Sequence, residues 1–208
     1  MTKIHKKRFE EYYSKYLLEY LFPERFSYLK VLDKPDLQNA DKNVGIEVTT
    51  AVQQVVKEND ALFSKLLANK ATREQREKSK NRIRQLGGKF YDEGYMFSWA
   101  GYRSLDNIYL SLEKKIKKLN EGGYTSFNEQ DIFITDDNYI KDEELNIIYA
   151  KFKNIQSSFS SRFSSIFLYL HGGCLKEFDM IAESYRSYKL NNDEVSELVN
   201  MTELERRY

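Results

Sequence analysis

Lys34-Pro35-Asp36-Leu37-Gln38-Asn39-Ala40-Asp41-Lys42-Asn43-Val44-Gly45-Ile46-Glu47-Val48-Thr49-Thr50 reads as a β-hairpin. Pro35 suits the start of an edge strand or the turn before one, because it has no amide hydrogen to give a ladder. Residues 39–43 form a polar turn cluster. Residues 44–52 are rich in β-branched side chains, which favour a pleated backbone, and one acid, Glu47, interrupts them. Strands joined this tightly bring Asp36, early in the first, near Glu47, late in the second. A carboxylate within an apolar strand is costly to bury unless something pairs with it. Two carboxylates meeting there repel each other, and a divalent cation removes that repulsion. Hard cations such as Mg²⁺ take one or two carboxylates together with waters and substrate phosphate oxygens.

Pro35-Asp36 followed by Gly45-Ile46-Glu47-Val48-Thr49 resembles the core of the PD-(D/E)XK nuclease superfamily, the restriction-endonuclease-like fold. The likeness is strongest to members that read PDL…GIEVT. It covers residues 31–52, and elsewhere only the order of elements agrees. The resemblance implies an α/β protein with a mixed central sheet flanked by helices, an α-β-β-β-α-β core and, here, a helical insertion. It implies that Asp36 and Glu47 bind Mg²⁺ or Mn²⁺, with the carbonyl of Val48 as a third ligand, and that the chain hydrolyses phosphodiester bonds of DNA. The family pattern puts a Lys two residues after the acid, on the same strand face. Here that position is Thr49. Some members supply the Lys from the helix after the catalytic strand. Lys115 is the first candidate for that role, with Lys57 and Lys118 behind it. Nuclease-like folds of this type also place an acid of the first helix near the metal, which favours Glu10 or Glu11 over Glu19. The alternative for Glu10 is a solvated acid that suits a helix start.

The bulk properties set the frame. At 208 residues the chain fits one domain, 1–208, with residues 55–102 reading as a helical and aromatic insertion. The net charge of +1 is unlike a generic nucleic-acid coat, whereas a nuclease needs only a positive cleft. A single cysteine, Cys174, excludes an internal disulfide and a cysteine zinc site and fits a reducing, cytoplasmic compartment. No apolar run is long enough to span a membrane. The basic residues 1–8 lead into an amphipathic helix and do not read as a signal peptide.

Along the chain, residues 5–21 carry Phe9, Tyr13, Leu17 and Tyr20 at helical spacing, with Pro23 as the stop. A strand is expected over residues 26–32. After Thr50 the pattern turns helical, with a break near Asn59-Asp60. The basic segment 65–84 offers Arg73, Arg76, Lys80 and Arg84 as a phosphate-backbone surface, against the alternative of a solvated helix face. Aromatics crowd residues 90–102 and could stack bases, fill a core or form a dimer patch. Residues 104–120 form a strong helix, in which Lys115 flanks the stripe of Leu112 and Leu119. Residues 131–136 and 165–171 read as buried strands, the first closing a βαβ step, with a helix over 142–152 between them. His171 lacks a recognisable partner and Cys174 a nucleophile signature, so both read as structural residues. A last helix begins near Asn192. Two functions compete: a Mg²⁺-dependent deoxyribonuclease, or a catalytically inactive nuclease-like fold that binds nucleic acid or protein. Thr49 is the main support for the second. A third possibility is an accidental hairpin match in an α/β protein of another role.

Overall fold

The computed structural model describes residues 4–41, 43–52, 54–67, 72–91, 96–99, 104–122, 124–170 and 172–205. In chain order they form α1 (Ile4–Leu21), α2 (Pro23–Phe26), β1 (Lys30–Val31), β2 (Leu37–Asn39), β3 (Val44–Thr50), α3 (Gln54–Leu67) and α4 (Arg73–Gln85). The hairpin β4 (Gly88–Tyr91) and β5 (Met96–Trp99) follows, then α5 (Asp106–Asn120) and β6 (Glu129–Thr135). The chain ends with α6 (Leu145–Ser157), β7 (Ser165–Leu170), β8 (Cys174–Asp179), β9 (Ser184–Lys189) and α7 (Asn192–Glu205). It divides into two compact units, one of Met1–Ala51 with Leu105–Tyr208 and the other of Val52–Ser104. Among the described residues no helix is long and apolar enough to cross a membrane.

The first unit holds a seven-stranded sheet in the order β1-β2-β3-β6-β7-β8-β9. β3, β6 and β7 run parallel, and the meanders on either side are antiparallel, so the sheet is mixed. Parallel neighbours need crossovers, and helices supply them here. A parallel strand covered on both faces must be apolar on both. Accordingly Ile132, Phe133, Ile134, Ile166, Phe167 and Leu168 are fully buried. One face of the sheet packs on α5 and α6 through Ile108, Leu112, Ile148 and Phe152. The other packs on Tyr13, Leu17 and Leu18 of α1, Phe26 and Leu198. Each such side chain contributes roughly 1.5–3 kcal/mol on burial.

The mixed sheet flanked by helices agrees with the sequence reading. Several local expectations need correction. Pro23 does not simply end α1 but opens α2 at its first turn, where a missing amide hydrogen costs nothing. The strand expected over 26–32 is therefore cut to Lys30–Val31, because Phe26 and Leu29 turn into the core at helical spacing. α3 runs through Asn59-Asp60 without a break. β9 was not expected, since its residues alternate in neither polarity nor burial. α7 begins at Asn192 as expected, and the residue that caps it is Asn191. Its Oδ1 accepts the amides of Asp193 and Glu194, and Glu194 accepts the Asn191 amide in return.

In the second unit α4 packs on α3, and β4 pairs with β5. α4 begins in a capping box between Thr72 and Gln75.

Gly45 fixes the approach to the site. A Cβ there would stand 2.7 Å from the Phe127 ring and 2.7 Å from Pro35 Cγ. Gly45→Ala is expected to cost about 1–3 kcal/mol, as overpacking does, read as a lowered urea midpoint at unchanged slope. A midpoint equal to the wild type's would mean that Phe127 and Pro35 do not grip this strand.

Candidate active site

The hairpin places two acids side by side on one face of the sheet. Leu37 pairs with Ile46, so one register step further Asp36 comes opposite Glu47. Leu37 and Ile46 point into the core beneath α1, and their neighbours Asp36 and Glu47 therefore point to the α5 face. Both acids are buried, 6% and 4% exposed. Asp36 Oδ2 accepts the Val48 amide at 2.9 Å, taking the place of a ladder partner where β2 has ended. In an extended strand the amide and carbonyl of one residue point to the same edge, so the Val48 carbonyl also faces the Asp36 side.

α5 supplies the third group. Its apolar stripe of Ile108, Leu112 and Ile116 lies on the sheet and brings Lys115 alongside. The Lys115 ammonium donates to Glu47 Oε1 and forms an ion pair with it. Thr49 lies two residues after Glu47 on the same strand face. Glu47 Oε2 is buried. The buried hydroxyl of Tyr124 lies beside Glu47, each feels the other's charge, and a side-chain hydrogen bond between them helps to hold the Glu47 carboxyl down. Burial, and then the charge of Asp36, push the Glu47 carboxyl up from its ordinary value, while Lys115 pulls it down. Burial and the Glu47 charge push the Tyr124 hydroxyl up, so it stays a donor.

The loop carrying Tyr124 is tied to the hairpin at several points. The Thr125 amide donates to the Lys34 carbonyl at 3.1 Å, and the Asn128 amide to Asn43 Oδ1 at 3.0 Å. Phe127 closes against Gly45, and the Lys118 ammonium lies 5.3 Å from the centre of the Tyr124 ring.

The donor set fits a hard divalent cation. Asp36 and Glu47 supply two carboxylates that raise each other's cost, and the Val48 carbonyl faces the same edge. Among the described residues no cluster of three or more Asp, Glu, His or Cys could hold a metal. Asp36 and Glu47 fall one short of that number. Glu10 does not join them: it is half-buried on α1, the helix that packs on the opposite face.

The four basic residues of α4 divide. Arg73 and Arg84 are exposed, with the Arg84 guanidinium 5.5 Å from the Phe90 ring. Arg76 and Lys80 are half-buried, and Arg76 Nε is buried without a partner. Lys57 lies on α3 in the same unit. His171, Tyr95 and Tyr102 lie outside the described residues. Cys174 packs at the edge of the α5–α6 core.

A second polar cluster lies on the α1 face and was not foreseen. Arg25 pairs with Glu129 at 2.5 Å, Asp131 at 2.9 Å and Glu177 at 3.2 Å, and donates to Ser165 Oγ at 2.8 Å. Asp131 is fully buried and also accepts the Ser165 amide. Burial pushes its carboxyl up and Arg25 pulls it back. Tyr124 was missed as well. Its one sequence signal is a tyrosine directly after the Gly122-Gly123 turn, which any loop could carry.

Comparison with protein-family models, with curated proteins and with solved structures finds no match to this chain.

Proposed function

We propose that this chain is a divalent-metal-dependent nuclease that hydrolyses phosphodiester bonds of DNA on a restriction-endonuclease-like core. The observation that carries the reading is the meeting of Asp36, Glu47 and Lys115 on one sheet face, with both acids buried. The PDL…GIEVT stretch adds to it. Asp36 and Glu47, with the Val48 carbonyl, hold Mg²⁺ or Mn²⁺. When bound, such an ion supplies charge against the phosphate and lowers the pKa of water at the site. Asp36 is already oriented for this by the Val48 amide, which fixes one of its oxygens. Lys115 is held by Glu47 where its ammonium can orient the attacking water and offset charge on the phosphate. It takes the role that Thr49 cannot fill. Water adds to phosphorus, the P–O bond to one sugar breaks, and the products are a phosphate monoester and a hydroxyl. Arg73 and Arg84 are exposed on α4 and available to backbone phosphates, as charge-steered binding requires.

One observation favours a second reading. Lys115 already neutralises Glu47, so the hairpin can persist without a cation as a nucleic-acid-binding or protein-interaction module. A plasmid-nicking assay in Mg²⁺ and in Mn²⁺ separates the two. The nuclease nicks in either ion and not in chelator, whereas no nicking in any ion leaves the binding module.

A further inference from the structure

α1 and α7 pack side by side in the first unit and leave a groove of about 360 Å³ between them. Its apolar lining is Tyr16 and Tyr20 of α1 with Leu198 and Met201 of α7. Leu198 is buried, whereas Tyr20, Met201 and, three residues further along α7, Leu204 are 51%, 40% and 56% exposed. Large apolar side chains gathered along a groove mark a surface that meets a partner. Acids line the same groove: Glu19, Glu194 and Glu197. Glu19 is engaged by the Lys15 ammonium and the Leu29 amide, so the unbalanced charge is that of Glu194 and Glu197. Glu194 stays ionised, because the Asn191 amide and the Tyr20 hydroxyl hold its carboxyl below the ordinary value. α7 carries Asp193, Glu194, Glu197, Glu203 and Glu205 and no Lys or Arg, in a chain whose net charge is +1. The negative charge therefore belongs to this face and not to the protein as a whole.

Charge and shape together select the occupant. A second copy offering the same face would set acids against acids. A second copy offering α4, the basic helix, would bring no apolar residue to the groove, because the one α4 has, Ile83, is buried. We propose that the α1–α7 groove receives a cationic amphipathic helix of a different protein. Its apolar residues, at spacings of three and four, enter between Tyr20 and Met201, and its Lys or Arg residues meet Glu194 and Glu197. The exposed ring of Tyr20 offers a further seat for a cation, and its hydroxyl is tied to Glu194 at 2.7 Å. Met201, flexible and polarisable, adapts to the side chain that enters. α1 and Leu198 pack on the sheet face opposite Asp36 and Glu47, so the proposal stands independently of the nuclease reading.

The test uses the full chain and two fluorescent synthetic peptides of Leu and Lys, read by anisotropy. One is patterned as an amphipathic helix, and the other is a scramble of the same composition. The wild type should bind the patterned peptide with a Kd on the order of 10 μM and the scramble at least about tenfold more weakly. Glu197→Lys and Met201→Gln alter exposed side chains and should leave the melting temperature unchanged. Each should weaken binding of the patterned peptide by about tenfold, the first through charge and the second through the apolar contact. No binding, or equal affinity for the two peptides, would overturn the proposal, since bare charge would then be the whole attraction. Undiminished affinity in either variant would overturn it as well, because the peptide would sit elsewhere. So would a wild-type chain that dimerises as its concentration rises and stops doing so in Met201→Gln, which would assign the groove to a second copy.

Discussion

Arg25→Met is expected to destabilise the protein by about 3–5 kcal/mol at neutral pH, because it strands three acids that converge on the Arg25 guanidinium. Arg25 enters from α2 and meets Glu129, Asp131 and Glu177, which β6 and β8 carry on the same sheet face. Asp131 is fully buried, and it also accepts the Ser165 amide. Methionine keeps much of the arginine stem against Phe26, over which the guanidinium lies at 4.6 Å. The loss is therefore mainly one of charge, and its pH dependence identifies it. Without Arg25 the Asp131 carboxyl loses the cation that pulls it down, and burial holds it above its value in the unfolded chain. A carboxyl raised by folding binds its proton more tightly in the native state. Stability is then greatest at acid pH and falls as pH rises through the unfolded value, roughly 4, toward the raised one. Urea denaturation at pH 4.5 and pH 7 should give a deficit that is small at the first and large at the second. An equal deficit at both would mean that Arg25 acts by packing.

Asp36→Asn and Glu47→Gln are each expected to lower nicking on the order of a thousandfold or more, about 4 kcal/mol of barrier, while the fold persists. Asn at 36 keeps an oxygen for the Val48 amide, and Gln at 47 keeps one for the Lys115 ammonium, so both preserve the hydrogen bonds that position the hairpin. What they remove is the negative charge on which the proposed cation site depends. Lys115→Ala tests a different element. It should reduce nicking by roughly a hundredfold to a thousandfold, the scale of one well-placed charge-stabilising group, without abolishing metal binding. Undiminished nicking in Asp36→Asn would remove the proposed mechanism, and undiminished nicking in Lys115→Ala would remove Lys115 from it.

How far the sequence was legible follows from the range of each signal. Asp36 and Glu47 were legible because turn residues and a β-branched run set a short hairpin, and its register alone brings them opposite. Lys115 was legible in part. Its place three residues after Leu112 puts it at the border of the buried stripe, but its arrival at Glu47 depends on how the crossover returns α5 to the sheet. Tyr124 depends on the path of a loop, which no periodicity encodes. The Arg25 cluster joins α2, β6, β7 and β8, so its members are ordinary surface-type residues until the sheet is assembled. Glu10 was assigned from family habit and chain direction, and α1 lies on the face that Glu47 does not share. β9 pairs with β8 through its backbone, and its side chains carry little of the alternation by which strands are read.

The most direct test of the central claim is the melting temperature with and without Mn²⁺ in the wild type and in Glu47→Ala. A cation that binds only the folded state at a hundredfold excess over its Kd stabilises by about 2.7 kcal/mol. For a protein of this length that corresponds to a rise of roughly 5–10 °C. The account predicts that rise in the wild type and its absence in Glu47→Ala. A wild-type melting temperature unmoved by Mn²⁺, or a rise of equal size in both proteins, would contradict it.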